Sequence, residues 1–229
     1  MTVNLSKTYD WNPPGGELII NAFGRIQIRP TEITQSHLYQ AQLSANAVLS
    51  EWSNLQPSLW TVGLQTVPLL QGTATYTVPA ETVMILDLYI SSGSPTTDRY
   101  LYPLSRTEYA ALPVKTQQGT PNQFWFDRLI SPTITFYPVP DGNGPYVAKY
   151  FSCRQTMDAI LAGGLNVEVP YRVLDAFLAA LAWRLAEIYK PEMEQRMQQK
   201  AERAWSLAAT QDQENVSLQI MPGLSGYFK

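Results

Sequence analysis

Residues Val173–Ile188 read VLDAFLAALAWRLAEI, and this stretch decides the fold. Val173, Leu174, Phe177, Leu178, Leu181, Leu185 and Ile188 recur at three- and four-residue steps, which draws a broad apolar stripe on a helix. Asp175, Arg184 and Glu187 interrupt the run, and a membrane span needs about 20 predominantly apolar residues, so it reads as a buried helix of a water-soluble body. Lys190-Pro191 breaks it, because proline suits the first turn of a helix and not its interior. A second helix then runs from Glu192 to about Gln211, with Met193, Met197, Ala201, Ala204, Trp205 and Ala208 as a narrower stripe. Glu194, Arg196, Lys200, Glu202 and Arg203 flank that stripe. A helix this apolar needs other helices to cover it.

Those partners lie at the other end of the chain. Pro13-Pro14-Gly15-Gly16 opens a short helix from about Glu17 to Phe23, and Gly24 is placed to stop it with a left-handed cap. After Arg29-Pro30 a longer helix runs to about Leu55 and ends at Pro57. Leu38, Ala41, Ala45, Val48, Leu49, Trp52 and Leu55 share one of its faces. Two antiparallel helices account for residues 17–56.

From Trp60 to Cys153 the period is that of strands. Thr73–Val78 alternates strictly, with Ala74, Tyr76 and Val78 facing one way, and Val83–Ile90 is nearly continuous, as in a strand covered on both faces. Ser105-Arg-Thr-Glu108 is a capping box that starts a short helix through Leu112. Gln123–Phe126, Thr133–Tyr137 and Tyr146–Phe151 read as a meander, with Asp141-Gly-Asn-Gly144 turning between the last two. The fold class is therefore α+β: a helical bundle body from the N- and C-terminal helices, an inserted antiparallel β domain, and an extended C-terminal tail. The divisions fall at 1–58 and 157–211 for the body, 59–156 for the β domain, and 212–229 for the tail.

Composition excludes several classes of function. The 229 residues are 45% hydrophobic, 11% aromatic and only 15% charged, against about 25% charged in ordinary soluble domains. A net charge of -3 is not that of a basic nucleic-acid binder. The first residues lack the basic-then-apolar pattern of a secretory signal, which leads us to expect a reducing cytoplasm or an assembled particle. One cysteine and one histidine leave no thiolate zinc site and little imidazole chemistry. His37 sits beside an apolar helix stripe and reads as an ordinary surface histidine, and Cys153 reads as a semi-buried, unreactive thiol. Neither nucleophile-elbow nor phosphate-loop spacing occurs. No catalytic residue, cofactor site or metal site is expected.

Two features of the β region leave other functions open. Glu108, Asp127 and Asp141 are carboxylates of the kind that hydrolyse sugars in pairs, although nothing in the sequence brings two together. Tyr76, Tyr89, Tyr100, Tyr102, Tyr109, Trp125, Tyr137, Tyr146 and Tyr150 could form a sugar-stacking face, or fill a sheet core or subunit interface. Between Arg29 and Arg99 there is no Lys or Arg, while Glu32, Glu51, Glu81, Asp87 and Asp98 are acidic. This suits a face covered by partners, or one that lets nucleic acid pass without gripping it.

Three stretches carry a resemblance. Ile134-Thr-Phe-Tyr-Pro-Val-Pro-Asp-Gly142, Tyr146-Val-Ala-Lys-Tyr150 and Val169–Pro191 resemble the head-to-tail adaptor proteins of short-tailed bacteriophages, also called tail accessory, tail tubular or packaged-DNA stabilisation proteins. The order of elements over residues 17–210 fits as well, including the early helix ending in Ala47-Val-Leu-Ser-Glu-Trp52. The resemblance implies a virion structural protein of the tail or neck, assembled in the host cytoplasm. It implies a ring, usually of twelve copies, below the portal protein, which continues the DNA channel, carries further tail proteins (nozzle or tube, fibre or spike) and helps retain the genome. Double-stranded DNA would pass through without sequence-specific binding, and no membrane partner is implied. On this reading the tail binds the portal through Leu218, Ile220, Met221, Leu224, Tyr227 and Phe228, apolar anchors spaced by Gly and Pro. The rival readings are a cell-wall-degrading hydrolase using Glu108 and Asp127, and a carbohydrate-binding tail module.

Overall fold

The computed structural model describes residues 11–56, 58–93, 96–160 and 164–212. The fold is α+β. Its helices are α1 (Gly15–Arg25), α2 (Gln35–Leu55), α3 (Arg106–Ala111), α4 (Leu174–Tyr189) and α5 (Pro191–Gln211). Helix α4 is the centre of the helical cluster: ten of its residues are buried, and the apolar faces of α1, α2 and α5 close around it. Leu181 and Leu185 have no exposed surface, and neither have Ala22 and Phe23 of α1 or Ala41 and Ala45 of α2. Alanines at these positions let the helix axes approach closely.

Helix α1 ends differently from the sequence expectation. It continues through Gly24 to Arg25, and the left-handed residue is Gln27, at φ 63°. Ile28 N–H donates to the Phe23 carbonyl at 3.0 Å and Gln27 N–H to the Gly24 carbonyl at 3.1 Å, the two bonds of a Schellman cap. Burial decides the position: Ile26 and Ile28 both enter the core, and only a reversal at Gln27 places them there. Helix α2 starts with a reciprocal cap between Thr34 and His37 and ends at Leu55, followed by an extended Gln56. That is the conformation a following proline imposes. Ala41, Ala45, Val48, Leu49 and Trp52 are buried as the spacing predicts, but Leu55, at the fraying end, is exposed.

The strands are β1 (Val62–Leu69), β2 (Thr75–Thr77), β3 (Thr82–Ser92), β4 (Thr97–Tyr100), β5 (Tyr102–Leu104), β6 (Gln118–Gly119), β7 (Gln123–Asp127), β8 (Thr133–Tyr137), β9 (Val139–Pro140) and β10 (Tyr146–Arg154). They form two four-stranded sheets, β1-β10-β3-β4 and β2-β8-β7-β5, and a small β6-β9 pair. Pairing is antiparallel except at β5/β7 and β6/β9, which are parallel. The expected meander is not formed. β7 and β8 are neighbours in one sheet, but the chain then crosses to the other, where β10 lies between β1 and β3. The physical reason is the core: Tyr146, Ala148 and Tyr150 of β10 pack with Leu88 and Ile90 of β3 against Phe124, Ile134 and Phe136 of the facing sheet. The two sheets thus share one apolar interior.

Only one side of β3 is covered there. Leu88 and Ile90 are buried, whereas Leu86, next to a register shift opposite Phe151/Ser152, is exposed, so the expected burial on both faces does not hold. Ser105 and Glu108 form the capping box at α3 as the sequence predicts.

The cap at Gln27 yields a test. Replacing Gln27 with Gly removes the left-handed penalty for a side chain while keeping both cap bonds, and should raise stability by about 0.5–1 kcal/mol. Urea unfolding of the Gln27→Gly variant measures it, and no rise would show that the cap is unstrained.

Candidate functional site

The seam between helices and sheets holds most of the buried polar chemistry. β1 and β10, the strands by which the chain enters and leaves the β region, pair with each other from Val62↔Cys153 to Leu69↔Tyr146. At that junction the Thr61 hydroxyl lies 3.1 Å from Cys153 Sγ, and both residues are buried. Asn46 of α2 holds the segment after β10: Ala159 N–H donates to Asn46 Oδ1 at 2.7 Å, and Asn46 Nδ2 reaches the Ala159 carbonyl at 3.5 Å. Arg154, at the end of β10, forms a two-pronged ion pair with Glu168, whose carboxylate also accepts the Met157 N–H at 2.9 Å. The Arg154 guanidinium holds Glu168 below the usual glutamate range, with burial acting against it and the Met157 N–H adding to it.

Asp212 closes the seam from the C-terminal side. It caps α5, and its side chain is 2% exposed. One carboxylate oxygen accepts from Arg172 Nη2 at 2.8 Å and the other from the Leu59 N–H at 3.1 Å. The Arg172 guanidinium lies 5.9 Å from the Trp60 ring centre. Asp212 is therefore part of the packed body, although the sequence reading assigns it to the tail. The tail anchors Leu218, Ile220, Met221, Leu224, Tyr227 and Phe228 lie outside the described residues.

The other residues with chemical potential serve the fold. His37 Nδ1 faces the Thr34 N–H at 3.0 Å and the Thr34 hydroxyl at 2.8 Å, while its ring packs on Phe23 and Tyr189. Glu108 accepts the Ser105 N–H at 2.7 Å, and that bond, with the Ser105 hydroxyl, lowers its pKa. Asp141 accepts from the Tyr146 hydroxyl at 2.8 Å and the Asn143 N–H at 3.0 Å, which lower its pKa and fix the turn before β10. Among the described residues no group of three or more His, Cys, Asp or Glu is placed to hold a metal ion. A groove of about 650 Å³ is lined by Glu81, Met157, Ile160, Leu165 and the Arg154–Glu168 pair. Its guanidinium is already joined to Glu168, and the carboxylates of Glu81 and Asp158 also line it.

The aromatic set of the β region divides instead of forming one platform. Tyr146 and Tyr150 are in the core, Tyr76 bonds the Leu70 backbone, and Tyr109 stacks on Trp125 at 4.9 Å. Tyr89 and Tyr100 pair across β3 and β4, and Tyr102 meets Tyr100 edge-on at 5.5 Å. Nearby strands leave Leu64 and Phe151 directly opposite each other, 50% and 39% exposed. The loop between β7 and β8 adds Leu129 and Ile130, the latter 97% exposed. Sequence reading missed this pair, although two adjacent branched aliphatics between Arg128 and Ser131 are a signal: loops of this kind are ordinarily polar.

With this geometry in hand, the family comparison is specific. The family model described as "SU10 adaptor protein" matches residues 16–221, which takes in both helical ends and the whole β region. Among curated proteins none matches the chain.

The Arg154–Glu168 bridge predicts a pH dependence. Its folded-state pKa is lowered, so the bridge stabilises the fold above the ordinary glutamate range and loses that contribution as pH falls through the lowered value. Glu168→Gln should cost about 1–2 kcal/mol at pH 7, with the gap to the parent closing in acid. Urea midpoints measured from pH 7 down to about pH 3 test this, and a gap that stays constant would contradict it.

Proposed function

The chain belongs to the SU10 adaptor protein family, a phage adaptor with a structural role, and from that premise we propose that it forms a ring between portal and tail. The observation that carries this reading is the family match across both helical ends and the β region, joined to a surface that leaves apolar groups uncovered on one chain. In the proposed arrangement copies of the chain, twelve in the form its resemblance implies, surround the DNA channel below the portal of a short-tailed phage and help retain the genome. The helical body (1–58 and 157–211) forms the ring. The β domain (59–156) turns its exposed edges and the Leu129-Ile130 loop toward other tail proteins. Segment 212–229 meets the portal, starting from the Asp212 clip.

Several features support this assignment of roles. Low charge suits faces that neighbouring copies cover, since obligate interfaces exceed about 2,000 Å² and are apolar. Asp212, held by Arg172 and the Leu59 N–H, is the point from which the proposed portal-binding segment continues. No described helix is long and apolar enough to cross a membrane.

Truncation after Asp212 tests the reading. A chain ending at residue 212 keeps the Arg172 and Leu59 contacts and should unfold at the same urea concentration as the parent, yet fail to join portal rings in a pull-down. Unimpaired joining would defeat the tail assignment. Tyr227→Ala with Phe228→Ala should weaken portal binding by about 2–4 kcal/mol if both are buried anchors. Calorimetric titration against portal measures this, and an affinity equal to the parent's would place the anchors elsewhere.

A further inference from the structure

Helix α5 carries a second feature, on the flank beside its buried stripe. Met197, Ala201 and Ala208 bury one face. Arg196, Lys200, Arg203 and Leu207 are exposed at steps of four, three and four residues. At 100° per residue the three cations fall within an arc of about 60°, and at 1.5 Å per residue they are spaced about 6 Å and 4.5 Å along the axis. They form a row on one surface.

The helix carries as many glutamates as cations, Glu192, Glu194 and Glu202, but none of them forms an ion pair with that row. Glu192 lies 4.0 Å from Lys190, in the turn before it. Glu202 is held by Gln198 at 2.9 Å, around the helix from the cations. Among the described residues none of the three cations takes part in an ion pair. The contrast with the rest of the molecule is sharp: α2, of equal length, has no Lys or Arg at all. A chain of net charge -3 has collected a row of cations on one solvent-facing helix surface.

We propose that this row contacts the phosphate backbone of duplex DNA, an inference that rests on the adaptor reading and assigns α5 to the channel side of the ring. A cation row spaced at a few ångströms meets a strand whose phosphates advance about 3.4 Å each along the duplex axis. Nothing in the row reads bases: no Asn or Gln lies among the cations on the same arc, so the contact is electrostatic and independent of sequence. A few such contacts per copy are weak and break readily. Repeated around a ring they would hold DNA laterally while allowing it to slide.

The experiment uses the full chain and a labelled random duplex of about 30 bp, followed by fluorescence anisotropy between about 25 and 150 mM NaCl. The parent should bind two unrelated duplexes equally. The variant Arg196→Gln, Lys200→Gln, Arg203→Gln should bind at least about tenfold more weakly at low salt, with the log–log salt slope shallower by about 2 to 3, near 0.9 per lost phosphate contact. Its unfolding midpoint checks that the fold is intact, and the single variant Lys200→Arg should bind as the parent does. Equal binding by parent and triple variant overturns the proposal, as does absence of binding by the parent. Loss of self-association in sedimentation with DNA binding unchanged also overturns it, and gives the row to a protein neighbour. Portal pull-down of the parent separates the two ideas: a parent that joins portal but does not bind DNA sinks this inference alone, whereas failure of the parent to join portal sinks the adaptor reading.

Discussion

Helix α4 can be satisfied only by company. Its sequence is apolar on nearly every side, and ten of its sixteen residues are buried. A lone helix of that composition would expose several large side chains, each worth about 1.5–3 kcal/mol on burial. The cover comes from α5, adjacent in sequence, and from α1 and α2, more than a hundred residues earlier. Everything between α2 and α4 must therefore leave the helical cluster and return to nearly the same place. The β region meets this condition directly: its first and last strands are neighbours, paired from Val62↔Cys153 outward. The helical core thus dictates the topology of a sandwich with which it shares no hydrophobic cluster.

The polar contacts at the seam follow from the same constraint. Where a chain enters and leaves a packed body, backbone groups are taken from water before regular structure can satisfy them. Asn46 serves the backbone of Ala159, Glu168 serves that of Met157, and Asp212 serves that of Leu59. In each case a side chain from the helical part, or the segment leading into it, supplies the acceptor. Two of the three acceptors are carboxylates already paired with arginine, which offsets the cost of holding a charge in partly buried surroundings.

Legibility in the sequence tracked the range of the interactions involved. The stripes of α2, α4 and α5 were readable because helical periodicity is local, and the Ser105–Glu108 box because its two partners are three residues apart. Among the strands, β2, β3, β7, β8 and β10 are readable for the same reason, whereas β1, β4, β5, β6 and β9 are not singled out by the sequence. What the sequence left hidden is pairing: nothing in Tyr146–Arg154 announces that this strand crosses sheets to lie between β1 and β3, since that depends on Leu88, Phe124 and Phe136 meeting Tyr150 in one interior. Gly24 was the natural choice for the α1 cap, yet burial of Ile26 and Ile28 moved the reversal to Gln27, overriding residue preference. Of the candidate surfaces, the Leu129-Ile130 loop left a trace in composition, whereas the Leu64–Phe151 pair needed the register.

The separation into two cores bears on how such a molecule serves as a connecting piece. The sandwich draws its cohesion from the side chains between its sheets, so the outer residues Leu64, Phe151, Tyr100 and Tyr102 are not required for its own stability. A surface released from that duty can be shaped by what it meets. The helical cluster has one such face on α2, where Tyr39 and Leu43 are exposed one turn apart on a stretch without basic residues, and a very different one on α5, where cations line the surface. The helical cluster thus presents two unlike surfaces, one apolar and one cationic. The asymmetry is set by charge on the helix surfaces and leaves the buried packing around α4 unchanged.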